Sequence, residues 1–241
     1  MGRPGKPGGP LRDRCPRVIV LEPPYDLVAL FSDLEMQKLF EKLIERGQTG
    51  RDCTRPFRWR SLRDPRRDTV WREPDRPLIT FLKMDCRFLV VWDHQGSGFE
   101  DRNRSEVEAL AISRLEATGV PRERILAVAF NPELEVSFRM AWPKVKRVVA
   151  EQRGISPPED AVILAEARRS APRLRIPEDF DLALSLYPKE LFEALVRLVR
   201  LRRSPDLYIR IGERVSLRAL KGESALSRIA TAISSWFPPT L

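Results

Sequence analysis

The sequence predicts an α/β fold, with a mostly parallel sheet flanked by helices and a mainly helical C-terminal part. Two observations favour this class. The segment from Phe88 to Trp92 is a fully apolar run that stops at Asp93, as expected for a strand buried on both faces of a sheet. Around it, short apolar runs alternate with segments of helical character. Such alternation gives parallel strands joined by right-handed crossovers.

The first predicted strand is the β-branched run of residues 17 to 21. It ends at Glu22, because the two prolines that follow prevent its continuation. A helix is predicted to begin at Ser32, where Ser-Asp-Leu-Glu fits a capping box, and to end near Gly47. Residues 48 to 76 show little periodicity, and we expect a long connection there that contains one strand.

Beyond the central strand, a second capping box at Ser105 begins another predicted helix. The run from Ile125 to Phe130 is the next predicted strand, and Asn131 with Pro132 supplies the N-cap and first residue of a further helix. The pattern past Trp142 is helical, apart from a small strand predicted at residues 207 to 211.

Three regions are expected from these elements. Residues 1 to 16 are rich in Gly, Pro and Arg and are predicted to form a basic disordered arm. Residues 17 to 142 form the α/β domain, with an Arg/Trp-rich insertion at residues 48 to 76. Residues 143 to 241 form a helical region that is either a subdomain or a cap over the sheet. No apolar stretch approaches the ~20 residues that span a bilayer, so we expect no membrane partner.

Composition favours a polyanionic partner. The chain has 241 residues and a formal net charge of +9, and most of its basic residues are arginine. This balance favours polyanion partners, nucleic acid above all, and we expect the nucleic acid to be DNA, although an Arg-rich chain from a GC-rich or heat-adapted source has the same composition. Three widely spaced cysteines and one histidine argue against a Cys/His zinc site and a disulfide framework. The thiols fit a reducing cytoplasm.

The insertion is the best candidate for contacts with nucleic acid. Residues 48 to 76 hold nine arginines against five acidic residues, with tryptophans between them. Arginines supply phosphate contacts and tryptophans stack on bases. The predicted set is Arg58, Trp59, Arg60, Arg63, Arg66 and Arg67, with Trp71 as a second stacking candidate. The alternative is a solvated loop whose aromatic residues pack on the core.

Acidic residues follow three of the predicted strands. Glu22 and Asp26 come after the first, Asp93 ends the central strand, and Glu133 and Glu135 follow the third. The carboxyl ends of parallel strands meet at one edge of a sheet, where ligands bind. Clustered carboxylates repel unless a cation lies among them, and oxygen ligands without His or Cys favour Mg²⁺ or Mn²⁺. Alternatively, these acids cap helices and interact with their dipoles.

The loop after the central strand offers two further candidates. Its Gly96-Ser97-Gly98 segment could wrap a phosphate through backbone N–H groups, although glycine loops after strands are common. His94 could act as a general acid or base, or form hydrogen bonds at the surface.

The order of these motifs resembles the Toprim fold, which serves topoisomerases, primases and related nucleases. The segment at residues 22–26 (EPPYD) matches the acidic end of its first strand. A Toprim-like group of prokaryotic proteins of unknown function, often encoded beside defence genes, has helix starts and segments similar to residues 132–135 (PELE), 188–190 (PKE) and 216–220 (SLRAL). The loop at residues 93–98 (DHQGSG) is similar to one in the small fourth component of methylation-associated anti-phage defence systems.

The resemblance implies a Rossmann-like, Toprim-like sheet and a magnesium-dependent nuclease in cytoplasmic anti-phage defence. In this hypothesis Mg²⁺ or Mn²⁺ binds Glu22, Asp93 and Glu135, Glu22 and Asp93 are catalytic, and other defence-system proteins are partners. The chain departs from the family at Gln95, which replaces an acid, and at Pro23, which removes a backbone N–H. These departures favour the alternative, a non-catalytic DNA-binding or scaffold subunit of a multi-protein defence complex.

Overall fold

The computed structural model describes residues 24–49, 55–66, 70–220 and 222–239. Its centre is a four-stranded sheet in the order β2-β1-β3-β4, and every neighbouring pair is parallel. The strands are β1 (Leu27–Phe31), β2 (Trp59–Arg63), β3 (Arg87–Asp93) and β4 (Ile125–Phe130). The predicted α/β class and parallel sheet are therefore confirmed, as are the central strand and the strand that follows it.

Helices join the strands and cover the sheet. The bounds are α1 (Leu34–Thr49), α2 (Asp75–Leu78), α3 (Arg104–Glu116), two 3-10 helices (Arg122–Arg124 and Leu134–Ala141), α4 (Trp142–Glu151), α5 (Asp160–Ser170), α6 (Phe180–Leu186), α7 (Pro188–Leu198), α8 (Pro205–Arg214), α9 (Leu217–Leu220) and α10 (Ser224–Trp236). The helix predicted to start at Asn131 begins instead at Leu134, as a 3-10 helix. Within the described ranges, no helix combines the length and apolar character needed to cross a bilayer.

Strand side chains alternate between two apolar cores. Leu27, Ala29 and Phe31 of β1 pack on one face with α1 and the helices that follow β4. Val28 and Leu30 pack on the other face with α2 and α3. Because both faces are covered, β1 and β4 are apolar at every position and β3 is apolar from Phe88 to Trp92, which explains why a continuous apolar run identified β3 in the sequence.

The connections place a crevice at the carboxyl ends of β1 and β3. The chain leaves β1 through α1 to reach β2 on one side, and leaves β3 through α3 to reach β4 on the other. Helix α1 lies on one face of the sheet and α3 on the opposite face. Neighbouring strands whose connections run in opposite directions form a topological switch point, where open α/β sheets bind ligands.

The first strand of this sheet differs from the prediction. The run at residues 17–21 and Glu22 lie outside the described residues, and β1 occupies Leu27–Phe31. Asp26 therefore precedes a strand instead of following one, and its carboxylate accepts a hydrogen bond from the Arg58 backbone N–H (2.8 Å) at the amino end of β1. The prediction that Asp26 lies at the carboxyl edge is wrong. Asp33 lies there in its place.

The strand predicted at residues 207–211 is also wrong, because this segment belongs to α8. Two isoleucines and a tyrosine among its five residues favour a strand by composition. Leu207, Tyr208 and Ile211 nevertheless lie on one helical face, and all three are buried. Pro205 occupies the first turn of the helix, where its missing N–H costs nothing.

The free edge of β4 is closed by an ion pair between a buried glutamate and a partly exposed arginine. Glu108 of α3 accepts a hydrogen bond from the Ala129 backbone N–H (2.9 Å), so this edge amide is satisfied by a side chain. Arg228 of α10 donates to both Glu108 carboxylate oxygens (3.0 and 2.8 Å). Covering an edge in this way prevents another strand from pairing with it.

Close packing of α8 against α1 predicts that Gly212→Ala destabilises the fold. A methyl group at position 212 would lie 2.7 Å from Lys42 Cβ and 2.9 Å from the Leu39 carbonyl oxygen. Overpacking of this kind costs about 1–3 kcal/mol, against a helix-propensity gain of roughly 1 kcal/mol. Urea unfolding should show lower stability for Gly212→Ala. The control is Gly47→Ala in α1, which meets nothing within 4 Å and should raise stability.

Candidate functional site

A pocket of about 340 Å³ opens at the switch point between β1 and β3. The segments after β1, β3 and β4 contribute acidic residues to its walls, and the C-terminal region contributes two basic ones. The charged lining residues are Asp33, Glu35, Asp93, Glu133, Lys189 and Arg203. The pocket therefore lies where the fold class places ligands, and it brings both signs of charge together.

Asp33 and Asp93 are held by backbone amides. Asp33 lies just after β1, and its Oδ1 accepts a hydrogen bond from the Met36 N–H (2.7 Å) at the start of α1. Asp93 ends β3, and its Oδ1 accepts from the Leu134 N–H (2.7 Å). Neither carboxylate forms an ion pair with a basic residue among those described. One oxygen of each is thus oriented by the fold while its charge is left without a paired cation.

The environment penalises negative charge on both groups. Burial raises the pKa of Asp93 well above its ordinary value, and the charges of Glu135, Asp33 and Glu133 raise it further. Burial likewise raises the pKa of Asp33, against the Met36 hydrogen bond, and the charge of Glu35 adds to the rise. Carboxylates that repel one another in this way are stabilised when a cation binds between them.

Glu135, in contrast, already has partners. Its side chain is 1% exposed, accepts a hydrogen bond from the Tyr208 hydroxyl and pairs with Arg203 (3.1 Å). Burial raises the pKa of Glu135, while Arg203 and Tyr208 oppose the rise. Arg203 also lies 3.7 Å from Glu193, and its guanidinium stacks 5.5 Å from the Tyr208 ring centroid. The buried carboxylate is therefore part of a fixed network.

Glu133 also forms a salt bridge. Its Oε1 lies 2.6 Å from the Lys189 Nζ. Burial lowers the pKa of Lys189, but the hydrogen bond to Glu133 and the negative charges of Glu133 and Glu135 together outweigh it, and the net change is upward. Lys189 stays charged at the pocket, where it and Arg203 can attract an anionic ligand.

The predicted metal set is brought together only in part. Asp93 lines the pocket, Glu135 lies beside it but is paired with Arg203, and Glu22 lies outside the described residues. Sequence reasoning missed Asp33, which was interpreted only as part of a capping box. Had a strand been assigned at Leu27–Phe31, Asp33 would have been recognised as a second acidic residue at the carboxyl end of a strand.

The residues that remain fit a magnesium site with few protein ligands. Within the part of the chain that the structure describes, no group of three or more His, Cys, Asp or Glu residues is arranged to hold a metal ion. Mg²⁺ commonly binds one or two carboxylates and completes its shell with waters and substrate phosphates. Asp33 and Asp93 match that donor set, and Gln95, also in the lining, carries a neutral amide oxygen.

The predicted nucleic-acid residues are divided between exposed and paired positions. Arg60 and Arg63 are exposed on the edge strand β2. Arg66 pairs with Glu73 (3.0 Å) and lies 3.7 Å from Asp64, whereas Arg58 lies 3.9 Å from Asp26. Trp59 is partly buried against the core, and Arg67 lies outside the described residues. The role of this set in nucleic-acid binding stays a prediction.

Trp71 and His94 are more deeply buried than the sequence indicates. Trp71, a stacking candidate, is 4% exposed and donates its indole N–H to the Ser97 carbonyl (3.2 Å), so it packs on the core. His94 is buried, and its backbone N–H donates to the Phe130 carbonyl (2.7 Å). The interpretation of His94 as a surface residue is therefore wrong.

Comparisons of the chain with protein-family models, with curated proteins and with solved structures found no match. The pocket's own geometry therefore carries the functional conclusion.

Proposed function

We propose that this protein is a Toprim-like, Mg²⁺- or Mn²⁺-dependent phosphodiesterase that cleaves nucleic acid. The observation that carries the proposal is the pair Asp33 and Asp93. These carboxylates follow neighbouring strands and line one pocket at the switch point, burial raises the pKa of both, and the charge of Asp33 raises that of Asp93 further. Lys189 and Arg203 line the same pocket, so sites for a cation and for a phosphate lie side by side. A role in prokaryotic anti-phage defence, with DNA and other defence proteins as partners, rests on the motif resemblance.

Each residue has a defined part in this proposal. A bound Mg²⁺ or Mn²⁺ supplies Lewis-acid polarisation of a phosphoryl oxygen. Asp33 and Asp93 hold the cation, and the Met36 and Leu134 amides fix the orientation of their carboxylates. Lys189 and Arg203 bind the phosphate and stabilise the charge that develops on it. Glu135 and Tyr208 hold the Arg203 guanidinium in place.

Nuclease assays on Asp33→Asn and Asp93→Asn test the proposal. Both substitutions keep an oxygen that can accept the backbone hydrogen bond but remove the charge that a cation needs. We expect a loss of Mg²⁺-dependent cleavage on the order of 100-fold or more, because a catalytic metal contributes several kcal/mol to transition-state stabilisation. The measurement is the initial rate of cleavage of single- and double-stranded DNA.

The matched control is Asp85→Asn. Asp85 precedes β3 at the opposite edge of the sheet, is 85% exposed and pairs with Arg124 at the surface, where ion pairs contribute little. Its rate should equal that of the wild type. Equal rates for all four proteins, or no cleavage by the wild type with either metal, would refute the phosphodiesterase proposal.

A second function is favoured by the pairing of Glu133 and Glu135 with basic residues. Because these acids are neutralised within the fold, the protein could be a non-catalytic DNA-binding subunit, with Arg60 and Arg63 on β2 as phosphate contacts. Each phosphate contact adds about one unit to the salt dependence of binding. Fluorescence anisotropy should therefore give a shallower salt slope for Arg60→Gln/Arg63→Gln. DNA binding with an unchanged slope would contradict this assignment.

A further inference from the structure

The loop after β3 binds one of its own carboxylates through backbone amides. The Gly96 N–H and the Gly98 N–H both donate to Glu100 Oε1, at 2.7 and 3.2 Å. Both glycines have left-handed φ angles, +82° and +77°, a conformation that side chains rarely tolerate. Amides of one loop that converge on a single oxygen in this way form a concave anion-binding nest. Here the anion is Glu100.

Glu100 is bound only by backbone groups and is open to solvent. Its own amide, then the Gly98 amide, lower the pKa of its carboxyl, so it is fully charged at neutral pH. No basic side chain pairs with it in the described part of the chain. Gly96 also lines the pocket that contains Asp33 and Asp93. The nest therefore opens beside the proposed metal site, and backbone amides alone hold the carboxylate in it.

Two exposed arginines lie on aromatic rings beside this loop. Arg102 stacks 4.6 Å from the Phe99 ring centroid, and Arg72 lies 5.1 Å from that of Trp71 and 5.5 Å from that of Phe99. Both arginines are exposed, and neither has a carboxylate partner among the described residues. Guanidinium groups placed on aromatic faces are pre-oriented for phosphate recognition.

The aromatic pair fixes these arginines to the same loop. Trp71 and Phe99 meet edge to face, with centroids 4.7 Å apart. The Trp71 indole donates to the Ser97 carbonyl (3.2 Å), and the Phe99 N–H donates to the Ser97 hydroxyl (3.3 Å). The nest and both unpaired guanidinium groups thus belong to one structural unit.

We propose that the Gly96 and Gly98 amides, together with Arg72 and Arg102, bind a backbone phosphate of a nucleic-acid strand, and that Glu100 occupies this site until the strand arrives. The choice of nucleic acid as the ligand rests on the proposed function, whereas the anion site itself does not. Glu100 acts as an internal competitor: the free site is available only in the fraction of molecules whose carboxylate has left the nest, and apparent affinity falls by that fraction.

The test is the binding of two phosphate probes to Glu100→Ala and Glu100→Gln. The probes are inorganic pyrophosphate, followed by calorimetry, and a fluorescent 12-nucleotide single strand, followed by anisotropy. Both measurements are made in EDTA, so they do not depend on the metal site. We expect both variants to bind both probes about three- to tenfold more tightly than the wild type. Adding Arg102→Gln should reverse most of the gain.

The control is Glu116→Gln, which removes the same charge from an exposed position at the end of α3. If the Glu100 variants bind no more tightly than this control, the competitor role is refuted. Tighter binding of pyrophosphate without tighter binding of the strand would refute nucleic acid as the ligand. Amide NMR shifts of Gly96 and Gly98 on addition of pyrophosphate locate the site, and unshifted glycine amides would overturn the assignment. Because no metal is present, an inactive Asp93→Asn protein should still pass this test.

Discussion

Replacing Arg203 with methionine is expected to destabilise the protein by about 3 kcal/mol at pH 8, since the substitution leaves a buried carboxylate without its cation. Glu135 is 1% exposed, and once Arg203 is gone the Tyr208 hydroxyl is the side-chain partner it keeps among the described residues. The variant also loses the contact with Glu193 and the stack on the Tyr208 ring. Thermal unfolding should show the loss as roughly 2–4 °C in Tm for each kcal/mol.

A double-mutant cycle separates this ion pair from general packing. Glu135→Gln keeps an acceptor for the Tyr208 hydroxyl but carries no charge. In that background Arg203→Met should cost clearly less, with a coupling of about 1–3 kcal/mol. An equal cost in both backgrounds would show that Arg203 stabilises the fold by packing alone. The stability of Arg203→Lys should fall between that of the wild type and that of Arg203→Met, because a single ammonium cannot reach two carboxylates and stack on a ring.

The defect should also depend on pH. Arg203 lowers the pKa of Glu135, so its removal raises that pKa further above the ordinary value of 4.5. The native variant then holds a proton that the unfolded chain releases, and stability falls as pH rises through this window. Unfolding at pH 5 and pH 8 should therefore give the smaller Arg203→Met defect at pH 5. A larger defect at pH 5 would contradict the role of Glu135.

Sequence patterns identified the elements whose burial is uniform. Strands β3 and β4 are covered on both faces, and a continuous apolar run reports that directly. Strand β1 is buried to the same degree, but only Ser32 and Asp33 separate it from α1, and both residues fit a helix cap. The boundary is invisible in the sequence, so the strand-end acid Asp33 was interpreted as part of a helix cap.

The paired charges of the site lay beyond sequence reasoning for a different reason. The sequence indicates Arg203 only as one of several arginines after a helix, where basic residues complement the helix dipole. Its partner Glu135 lies after β4, and only the packing of α7 and α8 on the sheet brings the two together. The pairing of Lys189 with Glu133 depends on the same packing. Contacts of this kind follow from tertiary structure and leave no local pattern.

In contrast to Arg203→Met, which should destabilise the protein, Asp93→Asn should stabilise it while it abolishes cleavage. The asparagine Oδ1 can keep the hydrogen bond from the Leu134 N–H. The cost of burying a charge disappears, together with the repulsion from Glu135, Asp33 and Glu133. Residues that carry out chemistry often reduce stability in this way. The gain should amount to roughly 2–4 °C in Tm for each kcal/mol of penalty removed.

The gain in stability from Asp93→Asn should grow as the pH rises. The native pKa of Asp93 lies well above the ordinary 3.8, so between the two values the native state binds a proton that the unfolded state does not. Wild-type stability therefore falls as pH rises through this window, and the penalty is absent below it. The Tm difference between Asp93→Asn and wild type should be near zero at pH 4 and should grow toward pH 8. Asp101→Asn, at an exposed position after the loop, should show no such growth.

Divalent cations should offset the cost of ionising Asp93 in the wild type and should have no such effect on Asp93→Asn. A cation bound between Asp33 and Asp93 stabilises the native state by about 2.7 kcal/mol at one hundred times its dissociation constant, and its binding displaces the protons that the raised pKa values retain. Added MgCl₂ should therefore raise the wild-type Tm by several degrees, more at pH 8 than at pH 5, relative to NaCl of equal ionic strength. Asp93→Asn should not respond. An equal response from both proteins would mean that the cation binds elsewhere, and the two carboxylates would then be an electrostatic cost without a ligand to offset it.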